Sequence, residues 1–129
     1  MKEAIRQHAQ ALGFDDCRFT TAEPPDSGGR FHAWLAAQWH GEMKWLERNA
    51  PKRVDPQLVL QNARSLIGLV ASYHHEEPRP ASREPKSGIV ARYARYADYH
   101  DVLAEKLKTL SDFVTQLSPG NRALWYVDT

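Results

Sequence analysis

Ser65-Leu-Ile-Gly-Leu-Val-Ala-Ser-Tyr73 is nearly continuous apolar sequence, and it limits the folds open to this chain. The run is too short to span a membrane. It reads as a central strand covered on both faces, which needs further strands beside it and helices above and below. Candidate neighbours are Cys17–Thr20, Ile89–Tyr93, where apolar residues alternate with Val90 and Arg92, and Ala123–Val127. Helical covers are also legible. Lys2 to Leu12 puts Ile5, Ala9 and Leu12 on one face and stops at Gly13. Leu103, Leu107, Leu110, Val114 and Leu117 form a stripe on a helix expected from about Tyr99 to Leu117, with Asp98 as its cap. The fold class is therefore α+β, a central sheet with packed helices.

Between these elements, Glu23-Pro-Pro-Asp-Ser-Gly-Gly29 is a loop. Phe31, Trp34, Leu35 and Trp39 follow helical spacing, and a second short helix, Glu42 to Asn49, turns Met43 and Leu46 inward. The aromatic density here suits a core. Asp55-Pro56 is a helix start, and Arg53 precedes it, where unpaired backbone N–H groups favour an anion.

The 129 residues make one domain's worth of chain. At 42% hydrophobic and 26% charged the composition argues against global disorder, and a net charge of +1 excludes no partner. Four arginines and one lysine between Arg79 and Arg95 stand against Glu84 alone, a local bias that suits phosphate or a solvated face. Met1 opens a charged amphipathic segment rather than a signal peptide, so the expected home is the cytoplasm, with no membrane partner. Cys17 is the single cysteine. One thiol permits no internal disulfide and cannot hold a four-cysteine iron–sulfur cluster, so Cys17 reads as a small core residue.

Chemistry concentrates between the third strand and the long helix. Arg92-Tyr93, Arg95-Tyr96 and Tyr99-His100 bring planar, cationic and hydrogen-bonding groups to one junction. Such a set suits a large, anionic, partly flat ligand, or else half-buried tyrosines beside solvated arginines. His74-His75-Glu76-Glu77 has no third ligand at metal spacing, so no metal site is expected. Asp128 stands at the carboxyl end of the last strand, an ordinary place for a capping or solvated carboxylate and equally for an acid. A chain that stops there reads as cut.

Four pieces in this order carry a family resemblance: His40-Gly-Glu-Met43 with Trp45-Leu46; Lys52-Arg-Val-Asp-Pro56; Ala91-Arg-Tyr-Ala94 with Asp98-Tyr-His100; and Tyr126-Val-Asp-Thr129. The chain resembles the amino-terminal, cobalamin-binding part of epoxyqueuosine reductase over almost its whole length. The resemblance implies one cobalamin-binding domain over 1–129, with the iron–sulfur domain absent. The full enzyme would reduce epoxyqueuosine to queuosine in tRNA, using cobalamin and two [4Fe–4S] clusters. It further implies a proton donor at Asp128 and cobalamin contacts from Arg53, Ala91 and Asp128. Weaker substrate contacts fall on Arg92, Tyr99 and His100. By itself the chain should be inactive, because the clusters have no ligands here, and surface exposed by the cut should favour self-association. The competing readings are a non-catalytic RNA-binding or interaction module using residues 79–95 and a small hydrolase using His74–Glu77.

Overall fold

Ile5 and Ala9 lie one turn apart on α1 (Lys2–Ala11), and both are buried. The helix ends in a Schellman wrap, with Phe14 N–H donating to Ala9 O at 3.1 Å and Gly13 N–H to Gln10 O at 2.9 Å. That wrap needs a left-handed residue, and Gly13 supplies it at φ +86°. The computed structural model describes residues 1–74, 88 and 90–128, with only the backbone of Arg92. His75, Glu76, Glu77, the three prolines that follow, Arg79, Arg83, Lys86 and Ile89 lie outside the described residues.

The architecture is α+β. In chain order it runs α1, β1 (Asp16–Thr21), α2 (Gly28–Ala36), α3 (Lys44–Arg48) and α4 (Ala50–Val54). A three-residue 3-10 turn at Pro56–Leu58 leads to β2 (Ser65–Val70), and a second turn at Arg92–Arg95 leads to α5 (Tyr99–Gln116). Among the described residues the strands form one two-stranded antiparallel sheet. The chain divides into two compact units, Met1–Cys17 with Leu69–Asp128 and Arg18–Gly68.

In the first unit α1 packs on α5. Leu107 and Leu110 are the buried residues of α5, and the Phe113 ring stacks on His8 with centroids 4.2 Å apart. Asp15 N–H donates to Val70 O at 2.8 Å, and its carboxylate takes Ser72 N–H at 2.7 Å. Cys17 is 1% exposed. Burial raises its thiol pKa, against the lowering effect of Arg6 and with a smaller rise from Asp16, so it is an inert core residue.

In the second unit α2 meets α4, where a Cβ on Gly28 would come within 3.3 Å of Val54 Cβ. The Gln57 amide donates to Ala22 O at 2.9 Å and to Ala63 O at 2.8 Å, tying the end of β1 to the approach of β2. His40 is 4% exposed and holds Glu47 at 2.7 Å through Nε2, with the Trp34 ring 5.8 Å away.

Several expectations need correction. Residues 123–127 join no ladder and bend at Val127, and Arg92–Arg95 is a 3-10 turn where the alternation suggested a strand. A strand exists only with a lateral hydrogen-bonding partner, and these segments have none among the described residues. For the same reason β2 is not covered on both faces; its side chains alternate between exposed and half-buried. Trp39, at 75% exposed, and Trp45 lie on the surface rather than in a core. The helices fare better: α1, with its stop at Gly13, and α5, with its cap, fall where the sequence puts them.

The α1–α5 contact predicts a large cost for truncation. Leu110→Ala removes a side chain that is 4% exposed and should destabilise the chain by about 2–4 kcal/mol in urea unfolding. Lys108→Ala, which loses only the exposed Lys108–Asp112 pair, should leave the midpoint nearly unchanged.

Candidate functional site

The start of α5 gathers the acid–base side chains. Asp98 is the N-cap, and its Oδ1 accepts the His100 backbone N–H at 2.9 Å. The same oxygen lies 2.8 Å from His100 Nδ1. These two contacts hold the Asp98 carboxyl below its ordinary pKa, the backbone bond first and the ring second. Tyr99 stacks on His100, with ring centroids 4.2 Å apart and planes 30° from parallel.

Asp128 comes to these rings from the far end of the unit. The Tyr99 hydroxyl donates to Asp128 Oδ2, and His100 Nε2 stands 3.4 Å from the same oxygen. The Tyr99 phenol is raised above its ordinary pKa, chiefly because ionising it would lose the bond to Asp128. Asp128 adopts φ +58°, a left-handed conformation that aspartate tolerates better than most residues. Its side chain is 63% exposed, so the apolar residues before it do not shield it from water. Oδ2 is engaged twice, while Oδ1 remains open among the described residues.

Ala91 is exposed, with φ −56° and ψ 142°, immediately before the 3-10 turn. Arg95 Nε donates back to Val90 O at 2.9 Å, so part of the expected cationic cluster braces its own turn. Tyr93 and Tyr96 are exposed. Arg53 belongs to the second unit, in the last turn of α4. It is half-buried and lines a shallow groove of about 380 Å³ with Thr20, Glu23, Pro24, Pro56 and Leu66. The helix start expected to favour an anion beside it is a short turn, and Asp55's own carboxylate already takes the Gln57 N–H at 2.9 Å.

Two features escaped the sequence reading. The Tyr99–Asp128 bond joins residues 29 positions apart, and no local pattern announces it. The second bond of Asp98, to the His100 ring, was foreshadowed only by an aspartate two residues before a histidine at a helix start. Among the described residues no three His, Cys, Asp or Glu side chains converge as metal ligands would. No described helix is long and apolar enough to cross a membrane.

Fold and cluster together define an α+β protein whose acid–base residues are organised by the first turn of its longest helix. The family described as epoxyqueuosine reductase QueG, DUF1730, matches residues 53–129, and the chain belongs to that family. It is 39% identical over 127 residues to an epoxyqueuosine reductase of Gloeobacter violaceus, covering 97% of this chain and 38% of that protein. A Bacillus subtilis epoxyqueuosine reductase, solved with its catalytic Asp loop swung out of the active site, superimposes with a TM-score of 0.73 at 31% identity. That match covers 92% of this chain and 32% of the other. An epoxyqueuosine reductase with an epoxyqueuosine-modified tRNA-Tyr stem loop gives a TM-score of 0.72 at 33% identity, over 89% of this chain and 31% of the other. The chain thus spans about a third of the length of these relatives.

Because the Asp98 pKa is depressed when folded, its stabilising effect is complete above the ordinary value of 3.8 and is lost as pH falls through the folded value. Asp98→Ala should therefore lower the thermal midpoint and the helical circular dichroism at neutral pH. The gap from the parent should close as the solution is acidified below that value. A gap that persists in strong acid would assign the loss to something other than the ionised cap.

Proposed function

We propose that residues 1–129 act as the amino-terminal, cobalamin-binding domain of an epoxyqueuosine reductase. The whole enzyme reduces epoxyqueuosine in tRNA to queuosine, in the cytoplasm. Family membership and the tRNA stem-loop complex of a relative support the reaction class and the partner. The observation that carries the site is the Asp128 carboxylate, held at Oδ2 by the Tyr99 hydroxyl with His100 Nε2 3.4 Å away, and with Oδ1 open among the described residues. The catalytic Asp loop of the Bacillus subtilis relative supports the same assignment.

Converting the epoxide to an alkene and water takes two electrons and two protons. Cobalamin, when bound, supplies reducing electrons at the carbon–oxygen bond. Within each unit taken by itself, one residue suits such a group. Ala91 is exposed, extended and no larger than a methyl group, so a flat ring can lie against its backbone. Arg53 offers a cation at the wall of a groove, suited to anchoring polar substituents of the cofactor. Asp128 presents Oδ1 to the oxygen that becomes an alkoxide and gives it a proton. Tyr99 and His100 fix the angle of that carboxyl, and Arg92 would meet the anionic nucleic acid.

The [4Fe–4S] clusters need thiolates that one buried cysteine cannot supply, so this chain alone carries no complete electron path. Exposed apolar side chains such as Val70, Leu124 and Tyr126, with sheet edges that have no partner among the described residues, favour self-association of the isolated chain. The RNA-binding alternative draws on residues 79–95, most of which lie outside the described residues, and no observation favours it.

In the full-length reductase, Asp128→Asn should leave cobalamin content and tRNA affinity nearly unchanged while turnover falls by roughly two to four orders of magnitude. Arg53→Ala should behave oppositely, losing cofactor retention and regaining much of its rate in excess cobalamin. An Asp128→Asn enzyme that binds cobalamin poorly and turns over normally once saturated would make Asp128 a binding residue instead.

A further inference from the structure

We infer that Asp98 and His100 form a proton relay that recharges Asp128, an inference that rests on Asp128 being the acid. Three contacts define the line: Asp98 Oδ1 to His100 Nδ1 at 2.8 Å, His100 Nε2 to Asp128 Oδ2 at 3.4 Å, and Asp98 Oδ1 to the His100 backbone N–H at 2.9 Å. The backbone bond ties the imidazole to the helix start, so the ring has one preferred direction. An ionised Asp98 can only accept, so Nδ1 carries hydrogen and Nε2 is the nitrogen that faces Asp128. A ring held this way presents Nε2 as a lone pair when neutral and as a donor when charged.

The need for a relay follows from ordinary carboxyl chemistry. A carboxyl that gives up a proton in each turnover must regain one before the next, and a neighbouring imidazole can both take up and release a proton. The step balances simply. The Asp128 Oδ1–H bond breaks as the O–H bond forms on the product oxygen. The His100 Nε2–H bond then breaks as a proton joins Asp128 at Oδ2; the Tyr99 bond to Oδ2 lets go as the carboxyl turns that proton to the substrate side, and re-forms on the oxygen that takes its place. Neutral His100 keeps its Nδ1–H on Asp98 and regains a proton at Nε2 from water, which its half-exposed ring can reach. The titratable groups facing the imidazole are Asp98 and Tyr99 from the start of α5 and Asp128 from the carboxyl-terminal segment. Tyr93 acts on Tyr99 electrostatically from the preceding turn. Asp98 is thus a positioning residue, and His100 is the group that moves the proton.

Two measurements test this. In the full-length reductase, His100→Gln should lower kcat about ten- to a hundredfold at neutral pH with KM unchanged. The loss should shrink toward acid pH, and added imidazole should restore rate. A loss equal at every pH and indifferent to imidazole overturns the relay. On the chain itself, imidazole 15N spectra should place the neutral-form proton of His100 on Nδ1. Asp98→Ser keeps a capping oxygen but is too short to hold the ring, and should move that proton toward Nε2; a proton already on Nε2 in the parent contradicts the assignment. Asp128→Asn in the same assay separates the two claims. Normal turnover there removes the acid and the relay with it, whereas an inactive Asp128→Asn beside a pH-independent His100→Gln sinks the relay alone.

Discussion

The carboxylate of Asp98 accepts the His100 backbone N–H and meets the His100 ring through one oxygen atom. A helix start leaves several backbone donors unpaired, and the residue that satisfies one of them here also aims the imidazole. Stability of α5 and orientation of the site are thus one interaction. Loss of the cap would fray the turn that carries Tyr99 and His100, and Asp128 would then lose both contacts to Oδ2. The other end of the arrangement is secured by packing: Leu107 and Leu110 are buried in the unit where α1 meets α5, and His8 stacks on Phe113.

The chemistry draws on few groups because each makes more than one contact. Tyr99 stacks on His100 and donates to Asp128, so a single ring sets the spacing of the cluster. Asp128 Oδ1 is left for whatever approaches from solvent. The second unit has its own polar pair, in which buried His40 holds a half-exposed Glu47, so the first residue of the motif beginning at His40 is a packed one.

How far the sequence could be read depended on how local each cause was. The long helix was legible because its stripe and its Asp98 cap are encoded within a few residues, and the stop after α1 was legible because Gly13 takes a backbone shape others resist. Of the strands, β1 and β2 were legible as apolar segments, but the other two expected ones were not there among the described residues, since apolar alternation reports what a segment prefers and not whether a partner lies beside it. Residues 123–127 and the Arg92–Arg95 turn are both failures of that kind. Within the site, Asp98, Tyr99, His100 and Asp128 each drew attention as single residues. Their convergence was invisible because it is made by the return of the chain after α5.

Tyr99 holds Asp128 through its hydroxyl, and the titration of Tyr99 reports that hold. The Tyr99 ring, labelled with 13C at Cζ, should ionise above the ordinary value of 10.0, because its proton is engaged by the Asp128 carboxylate. In Asp128→Asn the titration should fall back toward that value. A Tyr99 curve that is ordinary in the parent, or unchanged by the substitution, would contradict the account.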